Sequence, residues 1–160
     1  MRPDAGLMPA AANRVAVRAA RSGDLTAIEA IESRSFSADR FSRTTLKRLI
    51  AGRTASVVVA VASAAAAGYA AILFRKGSTV ARLYSIAVDP AARGQGVATA
   101  LIKAAIRIAR RRGADRLRLE VRASNALALS LYDRSGFTFL GRSPGYYQDG
   151  EDAIRLERRL

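Results

Sequence analysis

Residues 83–98 read LYSIAVDPAARGQGVA, and the rest of the chain is organised around this stretch. Its first six residues are mostly apolar and predict a short strand. Pro90 ends that strand, because proline cannot donate the backbone hydrogen bond that a central strand needs. The segment RGQG at 93–96 then leads into a long helical pattern. A strand, a glycine-containing turn and a helix N-terminus in this order present unpaired backbone N–H groups, and they predict a site that holds a phosphate.

The composition indicates one globular domain. The chain has 160 residues, half of them hydrophobic; residues 1–13 predict a flexible tail and residues 14–160 a single domain. Cysteine and histidine are absent, which excludes disulfides and a thiol nucleophile, and we expect no metal site. No apolar run approaches the ~20 residues of a membrane span, and the N-terminus lacks the features of a signal peptide. We therefore expect a cytoplasmic protein.

The chain carries 27 basic and 13 acidic residues, a net charge of +14. This excess favours an anionic partner such as a nucleotide cofactor, nucleic acid or an acidic peptide. The alternative is a solvated basic surface, because the basic residues are spread along the chain. A nucleic-acid-binding module would need a clustered basic face with aromatic residues, so nucleic acid is the weaker choice of partner.

Hydrophobic periodicity and turn residues divide the chain into strands and helices. The predicted strands lie at about 15–17, 55–63, 69–74, 80–88, 117–121, 137–140 and 153–160. The predicted helices lie at about 25–34, 45–51, 97–112 and 126–135. Thr44 or Thr45 is expected to cap the second helix, and a hairpin turn is expected at 64–67. The order β-α-α-β-β-β-α-β-α-β-β predicts a mixed sheet with helices packed on it, an α+β fold.

The helix at 97–112 has the clearest amphipathic pattern in the chain. Five residues share its apolar face: Leu101, Ile102, Ala105, Ile106 and Ala109. The next strand alternates, with Leu117, Leu119 and Val121 on one face and Arg118, Glu120 and Arg122 on the other. We therefore expect Glu120 on the polar side of the sheet.

A second motif lies further along the chain, in the spacing Asn-x-x-Ala-x-x-x-Tyr-x-x-x-Gly-Phe. Its residues are Asn125, Ala128, Tyr132, Gly136 and Phe137. With this motif and RGQGVA at 93–98, the chain resembles the GNAT superfamily of acetyl-CoA-dependent N-acetyltransferases, whose turn pattern is Gln/Arg-x-x-Gly-x-Gly/Ala. The resemblance extends from about residue 15 to residue 160. It implies the GNAT fold, a central and mostly antiparallel sheet flanked by helices.

A narrower resemblance rests on LEVRASN at 119–125, the pair Tyr146 and Tyr147, and EDA at 151–153. These segments are similar to the bacterial ribosomal-protein alanine N-acetyltransferases, which acetylate the N-terminal amine of a small-subunit ribosomal protein. The chain departs from that group because it lacks a tryptophan at 40–44. The acceptor-side segments 36–52 and 143–150 also match only loosely, so the resemblance is firmer for the acetyl donor than for the acceptor.

The resemblance implies a binding site for acetyl-CoA, used as a co-substrate. The turn is expected to cradle the pyrophosphate with Arg93, Gly94, Gln95, Gly96, Val97 and Ala98. The preceding strand is expected to pair with the pantetheine arm and to polarise the thioester carbonyl through the backbone of Ile86, Ala87 and Val88. Asn125 is expected to contact the pantetheine arm, although a helix N-cap alone would also explain it.

Two side chains are the candidate catalytic residues. The resemblance implies that Tyr132 faces the thioester sulfur and protonates the leaving thiolate; a tyrosine pKa is ordinarily near 10. The alternative is a core tyrosine whose hydroxyl is already hydrogen-bonded. Glu120 is the candidate base, taking the proton of the amine directly or through water. The alternative is an ion pair between Glu120 and Arg118 or Arg122.

Tyr146 and Tyr147 are expected to line the acceptor site, with loop packing as the alternative. We expect acetyl-CoA and the acceptor to bind together and the amine to attack the thioester directly. The narrower resemblance implies a protein N-terminal α-amine as the acceptor. A small-molecule amine such as a polyamine or aminoglycoside is the alternative, which a shortage of acidic residues near the acceptor loops disfavours. A CoA-binding regulatory domain without turnover is a further alternative, and the presence of Glu120 and Tyr132 argues against it.

Overall fold

The computed structural model describes residues 14–36 and 39–160, so the predicted tail at 1–13 lies outside the described residues. The strands are β1 (Val15–Ala19), β2 (Ala55–Ala62), β3 (Ala65–Leu73), β4 (Val80–Val88), β5 (Arg116–Arg122), β6 (Thr138–Ser143) and β7 (Ala153–Arg159). The helices are α1 (Leu25–Ser35), α2 (Arg43–Ala51), α3 (Val97–Arg111) and α4 (Ala126–Arg134). The predicted order of elements is confirmed.

The strands of the described residues form one seven-stranded sheet in the order β1-β2-β3-β4-β5-β7-β6. Strands β4 and β5 are parallel, and the other neighbours are antiparallel. The mixed, mostly antiparallel sheet of the expected α+β fold is therefore confirmed. In the part of the chain that the structure describes, no helix combines the length and the apolar character that a membrane crossing needs.

Helices cover both faces of the sheet. On one face, α3 and α4 pack over a large core that includes Leu101, Leu117 and Tyr132. On the other face, α1 and α2 pack over a smaller core that includes Ile28 and Leu46. The five predicted residues of the α3 face are all buried. Each such leucine or isoleucine contributes roughly 1.5–3 kcal/mol relative to an exposed side chain, so the α3 face is a main source of stability.

Two turn predictions were wrong in detail. Ser42, and not Thr44 or Thr45, caps α2, because its Oγ accepts a hydrogen bond from the Thr45 backbone N–H at 3.2 Å. The hairpin turn lies at Ser63 and Ala64, so β3 begins at Ala65. Both turn residues have positive φ, 52° for Ser63 and 63° for Ala64. Glycine and asparagine are the residues that usually signal this conformation in a sequence, and neither stands at these positions.

Gly68 lies within β3, where the strand passes closest to the start of α3. A Cβ there would lie 2.8 Å from the Ala87 carbonyl oxygen and 2.9 Å from Val97 Cγ1. We expect Gly68→Ala to lower the free energy of unfolding by about 1–3 kcal/mol, because β4 or α3 must move. Urea unfolding measures the loss. Gly23→Ala is the control, since nothing lies within 4 Å of that position; equal effects of the two substitutions would contradict the prediction.

Strands β4 and β5 pair over only part of their length. Residues 80–82 of β4 pair with residues 116–118 of β5. Beyond this point β4 stays paired with β3 as far as Val88, and β5 stays paired with β7 as far as Arg122. The sheet therefore opens between the two strands towards their carboxyl ends, and one backbone edge of residues 86–88 borders the opening.

Candidate active site

The predicted phosphate turn lies at the open end of β4. The side chain of Asp89 caps a short turn by accepting a hydrogen bond from the Ala91 N–H at 3.0 Å. Gly94 and Gly96 both have φ of 79°, and Gly96 is the N-cap of α3. A glycine at the N-cap offers no side-chain acceptor to the first N–H groups of α3. The turn therefore leaves these donors and the exposed Arg93 available to an anion, and phosphate binding there stays a prediction.

Asn125 is the N-cap of α4, which confirms one of its two expected roles. Its Oδ1 accepts a hydrogen bond from the Ala128 N–H at 3.1 Å. The amide nitrogen of Asn125 makes no hydrogen bond with another described residue. It is therefore free to donate to a ligand, and the contact with the pantetheine arm stays a prediction.

Tyr132 is buried in the larger core, with 6% of its surface exposed. Its ring packs edge-on against Phe137, with centroids 5.6 Å apart. The hydroxyl has no hydrogen-bond partner among the described residues, so the alternative of a satisfied core tyrosine does not hold for that part of the chain. Burial raises the pKa of Tyr132 above its ordinary value, and Tyr147 raises it further. The Tyr132 hydroxyl is thus a weaker acid than the ordinary tyrosine that the sequence analysis assumed, and it keeps its proton at neutral pH.

Glu120 lies on the opposite face of the sheet from Tyr132. Its neighbours along the strand, Leu119 and Val121, point into the core, as the alternation predicts. Its Oε2 accepts a hydrogen bond from Arg82 Nε at 3.1 Å, and its side chain is 21% exposed. The carboxylate is therefore held in place and still open to an acceptor.

The alternative, an ion pair of Glu120 with Arg118 or Arg122, does not occur. Arg118 donates instead to Glu157 at 2.6 Å, its direct neighbour across the β5–β7 pair. Arg122 donates to acids of the surrounding loops. Residues two apart on one strand are separated by about 7 Å, whereas cross-strand neighbours are about 5 Å apart. Arg118 therefore pairs with an acid on the neighbouring strand and not with Glu120 on its own strand.

Tyr146 and Tyr147 lie near Glu120, and their role in the acceptor site stays a prediction. The Tyr146 hydroxyl accepts a hydrogen bond from Arg82 Nη2 at 2.8 Å, so Arg82 joins it to Glu120. The two tyrosine rings are in edge contact, with centroids 5.0 Å apart. The guanidinium of Arg122 lies 4.1 Å from the centroid of the Tyr147 ring. These contacts place both tyrosines over the open face of β5.

Arg122 binds three acids that the chain brings in from distant segments. It donates to Asp39, and it lies 2.9 Å from both Asp149 and Glu151. Hydrogen bonds from Ser124 and Arg122 lower the pKa of Glu151, which keeps it ionised. The sequence expectation of few acids near the acceptor loops is thus corrected, since Asp39 and Asp149 belong to those loops. Arg122 pairs with all three of these acids.

A buried polar network in the smaller core was missed by the sequence interpretation. Glu32 is 1% exposed, and it accepts hydrogen bonds from the Tyr69 hydroxyl at 2.5 Å and the Phe41 N–H at 2.7 Å. Tyr69 also bonds Ser85 of β4 at 3.0 Å. The signal was present, because Glu32 follows Ile28 by four residues on the apolar face of α1. The network ties the loop before α2 to the strand that borders the opening.

We expect Glu32→Gln to remove a pH-dependent loss of stability. Burial raises the pKa of Glu32 above its ordinary 4.5. The folded state therefore binds the Glu32 proton more tightly than the unfolded state does, and this proton stabilises the fold. The stabilisation is complete below the pKa of Glu32 in the unfolded state, and it is lost as the pH rises through the pKa in the folded state. Glutamine has no such proton, so the free energy of unfolding of the variant should rise relative to that of the wild type as the pH rises. Urea unfolding across about pH 4 to 8 measures this difference.

The hydrogen bonds of Glu32 can survive this substitution. The glutamine oxygen can accept from Phe41 while its amide donates to Tyr69, whose proton then turns to Ser85. Glu29→Gln is the control, because Glu29 lies on the same helix in a surface ion pair with Arg43. A difference between Glu32→Gln and wild type that stays constant with pH would show that the prediction is wrong.

The chain is similar in sequence to known proteins. A profile of the Acetyltransferase (GNAT) family matches residues 25–137, which include the glycine turn, Glu120 and Tyr132. A Bacillus subtilis (strain 168) protein, provisionally named a ribosomal protein bS18-alanine N-acetyltransferase, is 32% identical over 142 residues, 88% of this chain and 93% of that protein.

Solved structures show the same fold. The ribosomal-protein-S18-alanine N-acetyltransferase from Escherichia coli has a TM-score of 0.82 at 32% identity, over 92% of this chain and 94% of that chain. Nourseothricin acetyltransferase has a TM-score of 0.74 at 26% identity, over 91% of this chain and 98% of that chain. The family profile, the relatives and the opened sheet agree, and the chain belongs to the GNAT family of acetyltransferases.

Proposed function

We propose that this acetyltransferase moves the acetyl group of acetyl-CoA to a primary amine, with a protein N-terminal α-amine as its acceptor. One observation carries the proposal: β4 and β5 part just before Glu120, whose carboxylate lies on one face of the sheet. Tyr132, whose hydroxyl has no hydrogen-bond partner among the described residues, lies on the other face. An amine that attacks a thioester must lose a proton, and the thiolate that leaves must gain one. The two faces of the sheet offer a group for each transfer.

The donor side fits acetyl-CoA, which supplies an acetyl thioester. The free N–H groups at the start of α3 and the side chain of Arg93 suit the pyrophosphate. The open edge of β4 at residues 86–88 suits the amides of the pantetheine arm, because an extended chain can pair there as an added strand. The free amide nitrogen of Asn125 is a further donor to that arm.

The chemistry follows from the two faces of the sheet. The Glu120 carboxylate takes the proton of the amine, directly or through a water, and the neutral nitrogen attacks the thioester carbon. A backbone N–H of the β4 edge stabilises the charge that develops on the carbonyl oxygen. The C–N bond forms and the C–S bond breaks, and the Tyr132 hydroxyl donates its proton to the sulfur. The new amide nitrogen releases its second proton to water, and the Tyr132 phenolate regains a proton from water.

The acceptor enters beside Tyr146 and Tyr147 in this proposal. The similarity to enzymes named for ribosomal protein S18 alanine supports a protein N-terminus as the acceptor. The similarity to nourseothricin acetyltransferase supports a small-molecule amine as the second candidate. The arginines around Glu120 favour the first candidate, because they would repel a polycation.

A screen read by thiol release tests the proposal. The purified protein is given saturating acetyl-CoA and, in separate reactions, N-terminal peptides, lysine-containing peptides with blocked N-termini, polyamines and aminoglycosides. We expect turnover with peptides that have a free α-amine and none when that amine is blocked. Faster turnover of small amines would favour the second candidate, and tight acetyl-CoA binding without turnover of any amine would indicate a regulatory domain.

A further inference from the structure

A groove of about 490 Å³ opens beside Glu120, on the face of the sheet that bears α1 and α2. Its charged lining, besides Glu120, consists of four arginines: Arg75, Arg82, Arg118 and Arg155. Its apolar lining includes Phe74 and Leu140. We call this cavity the arginine groove. Its size suits one or two residues of a ligand, or a small molecule.

Arg155 is held in the arginine groove by the strand beside it. It lies directly opposite Glu120 in the β5–β7 register and opposite Gly141 in the β6–β7 register. A Cβ at Gly141 would lie 2.5 Å from Arg155 Nη2, so the glycine leaves the space that this guanidinium occupies. The Nε of Arg155 is buried and makes no hydrogen bond with a described residue. An unsatisfied buried donor of this kind is costly, and an acceptor on a bound ligand would relieve that cost.

The charges of the arginine groove are not balanced within the described residues. Arg82 is paired with Glu120, and Arg118 is paired with Glu157. Arg75 and Arg155 have no ion pair with a described residue. The groove therefore carries excess positive charge immediately beside the carboxylate that would receive the acceptor's amine.

We infer that the arginine groove binds an anionic group of the acceptor, and that the substrate is an amine bearing a carboxylate close to the reacting nitrogen. The inference rests on the proposed function, because that proposal places the amine at Glu120. Arg155 is the direct neighbour of Glu120 across the strands, and Arg118 lies two residues along β5, about 7 Å away. This reach fits an acidic side chain at the first or second position of a peptide.

The arginine groove is also expected to reject acceptors that carry a basic residue at this position. A lysine or arginine at the same position would meet four guanidinium groups and one carboxylate that is already paired. Arginine forms two parallel hydrogen bonds with a carboxylate, which makes the pairing directional as well as attractive. The acceptor's acidic group is thus selected by attraction, and a basic group is excluded by repulsion.

A set of peptides that differ only in one charge tests the inference. The peptides begin with alanine and carry Glu, Gln or Lys at the second position; a second set carries Glu or Gln at the first. At saturating acetyl-CoA and low salt, we expect kcat/KM for Glu to exceed that for Gln about tenfold, and Lys to be the poorest. Binding of the same peptides to the CoA-saturated protein is measured in parallel by calorimetry.

Variants assign the preference to the groove. In Arg155→Gln, the ratio of kcat/KM for the Glu peptide to that for the Gln peptide is expected to fall towards one. The exposed Arg75→Gln gives an independent test of the same expectation if Arg155→Gln fails to fold. In Arg155→Glu the Lys peptide is expected to overtake the Glu peptide. Arg107→Gln, on the exposed face of α3, is the control and is expected to keep the wild-type ratio.

The outcomes separate the groove from the proposed function. Equal rates and equal binding of the Glu and Gln peptides would overturn the inference and leave the proposed function standing. Arginine-dependent binding of the Glu peptide without acetylation would support the groove and contradict the N-terminal amine as acceptor. A Glu preference that Arg155→Gln and Arg75→Gln both retain would also overturn the inference, and failure of all peptides to bind or react would overturn both.

Discussion

Replacing Tyr132 by phenylalanine is expected to lower kcat about 10²–10⁴-fold, the usual contribution of a positioned general acid. In the proposed mechanism this hydroxyl protonates the leaving sulfur, and without it the thiolate would leave unprotonated. The free energy of unfolding should change little, because the hydroxyl makes no hydrogen bond with another described residue and the ring contact with Phe137 is kept. Thiol release at saturating substrates measures kcat, and urea unfolding measures stability.

Tyr84→Phe is the matched control for this variant. The Tyr84 ring stacks on Phe41 at 5.1 Å, a contact that phenylalanine preserves. We expect the control to retain kcat within a few-fold. Because burial raises the pKa of Tyr132, the wild type should show no loss of activity near pH 10 that depends on this residue. Wild-type turnover by Tyr132→Phe would remove the proposed acid.

Glu120→Gln is expected to lower kcat/KM for the amine about 10²–10³-fold near neutral pH, since glutamine cannot accept the amine's proton. The deficit should shrink as the pH rises, because the free amine then loses its proton to solvent before it binds. A pH–rate profile of wild type and variant at saturating acetyl-CoA measures this change. The side chain keeps its size, and an amide oxygen can still accept from Arg82.

Glu29→Gln is the control for Glu120→Gln, because it also removes one carboxylate from a surface ion pair. Exposed pairs of this kind contribute ~0–1 kcal/mol, so the control should fold and react as the wild type does. An unchanged pH–rate profile for Glu120→Gln would show that the amine is deprotonated without this carboxylate.

The features that the sequence predicted well depend on neighbours in the chain. The glycine turn, the apolar face of α3 and the alternation of β5 are each set by local spacing, and all three are confirmed. The N-cap role of Asn125 follows from its place just before a helical pattern, and it too is confirmed. The predicted position of the hairpin turn was wrong because serine and alanine rarely adopt the positive φ that Ser63 and Ala64 have.

The features that the sequence missed depend on strand register. Arg82 reaches Glu120 because β4 and β5 are adjacent, although the two residues lie far apart in the chain. The pair of Glu32 and Tyr69 joins a helix to a strand on the smaller core. The arginine groove likewise collects side chains from five strands or their ends. Local periodicity shows which side of a strand is polar, and the register decides which charges meet there.

With the donor bound as proposed, the parted strands would make the stability of this protein depend on its substrate. The sheet is two blocks joined by the short paired stretch of β4 and β5, and the edges beyond that stretch lack a partner strand. A donor that lies along the β4 edge binds the folded chain and not the unfolded one. By mass action, a concentration 100 times the Kd would add about 2.7 kcal/mol to the free energy of unfolding. Depletion of acetyl-CoA would then expose the chain to unfolding and proteolysis, so the supply of acyl donor would set the amount of enzyme as well as its rate.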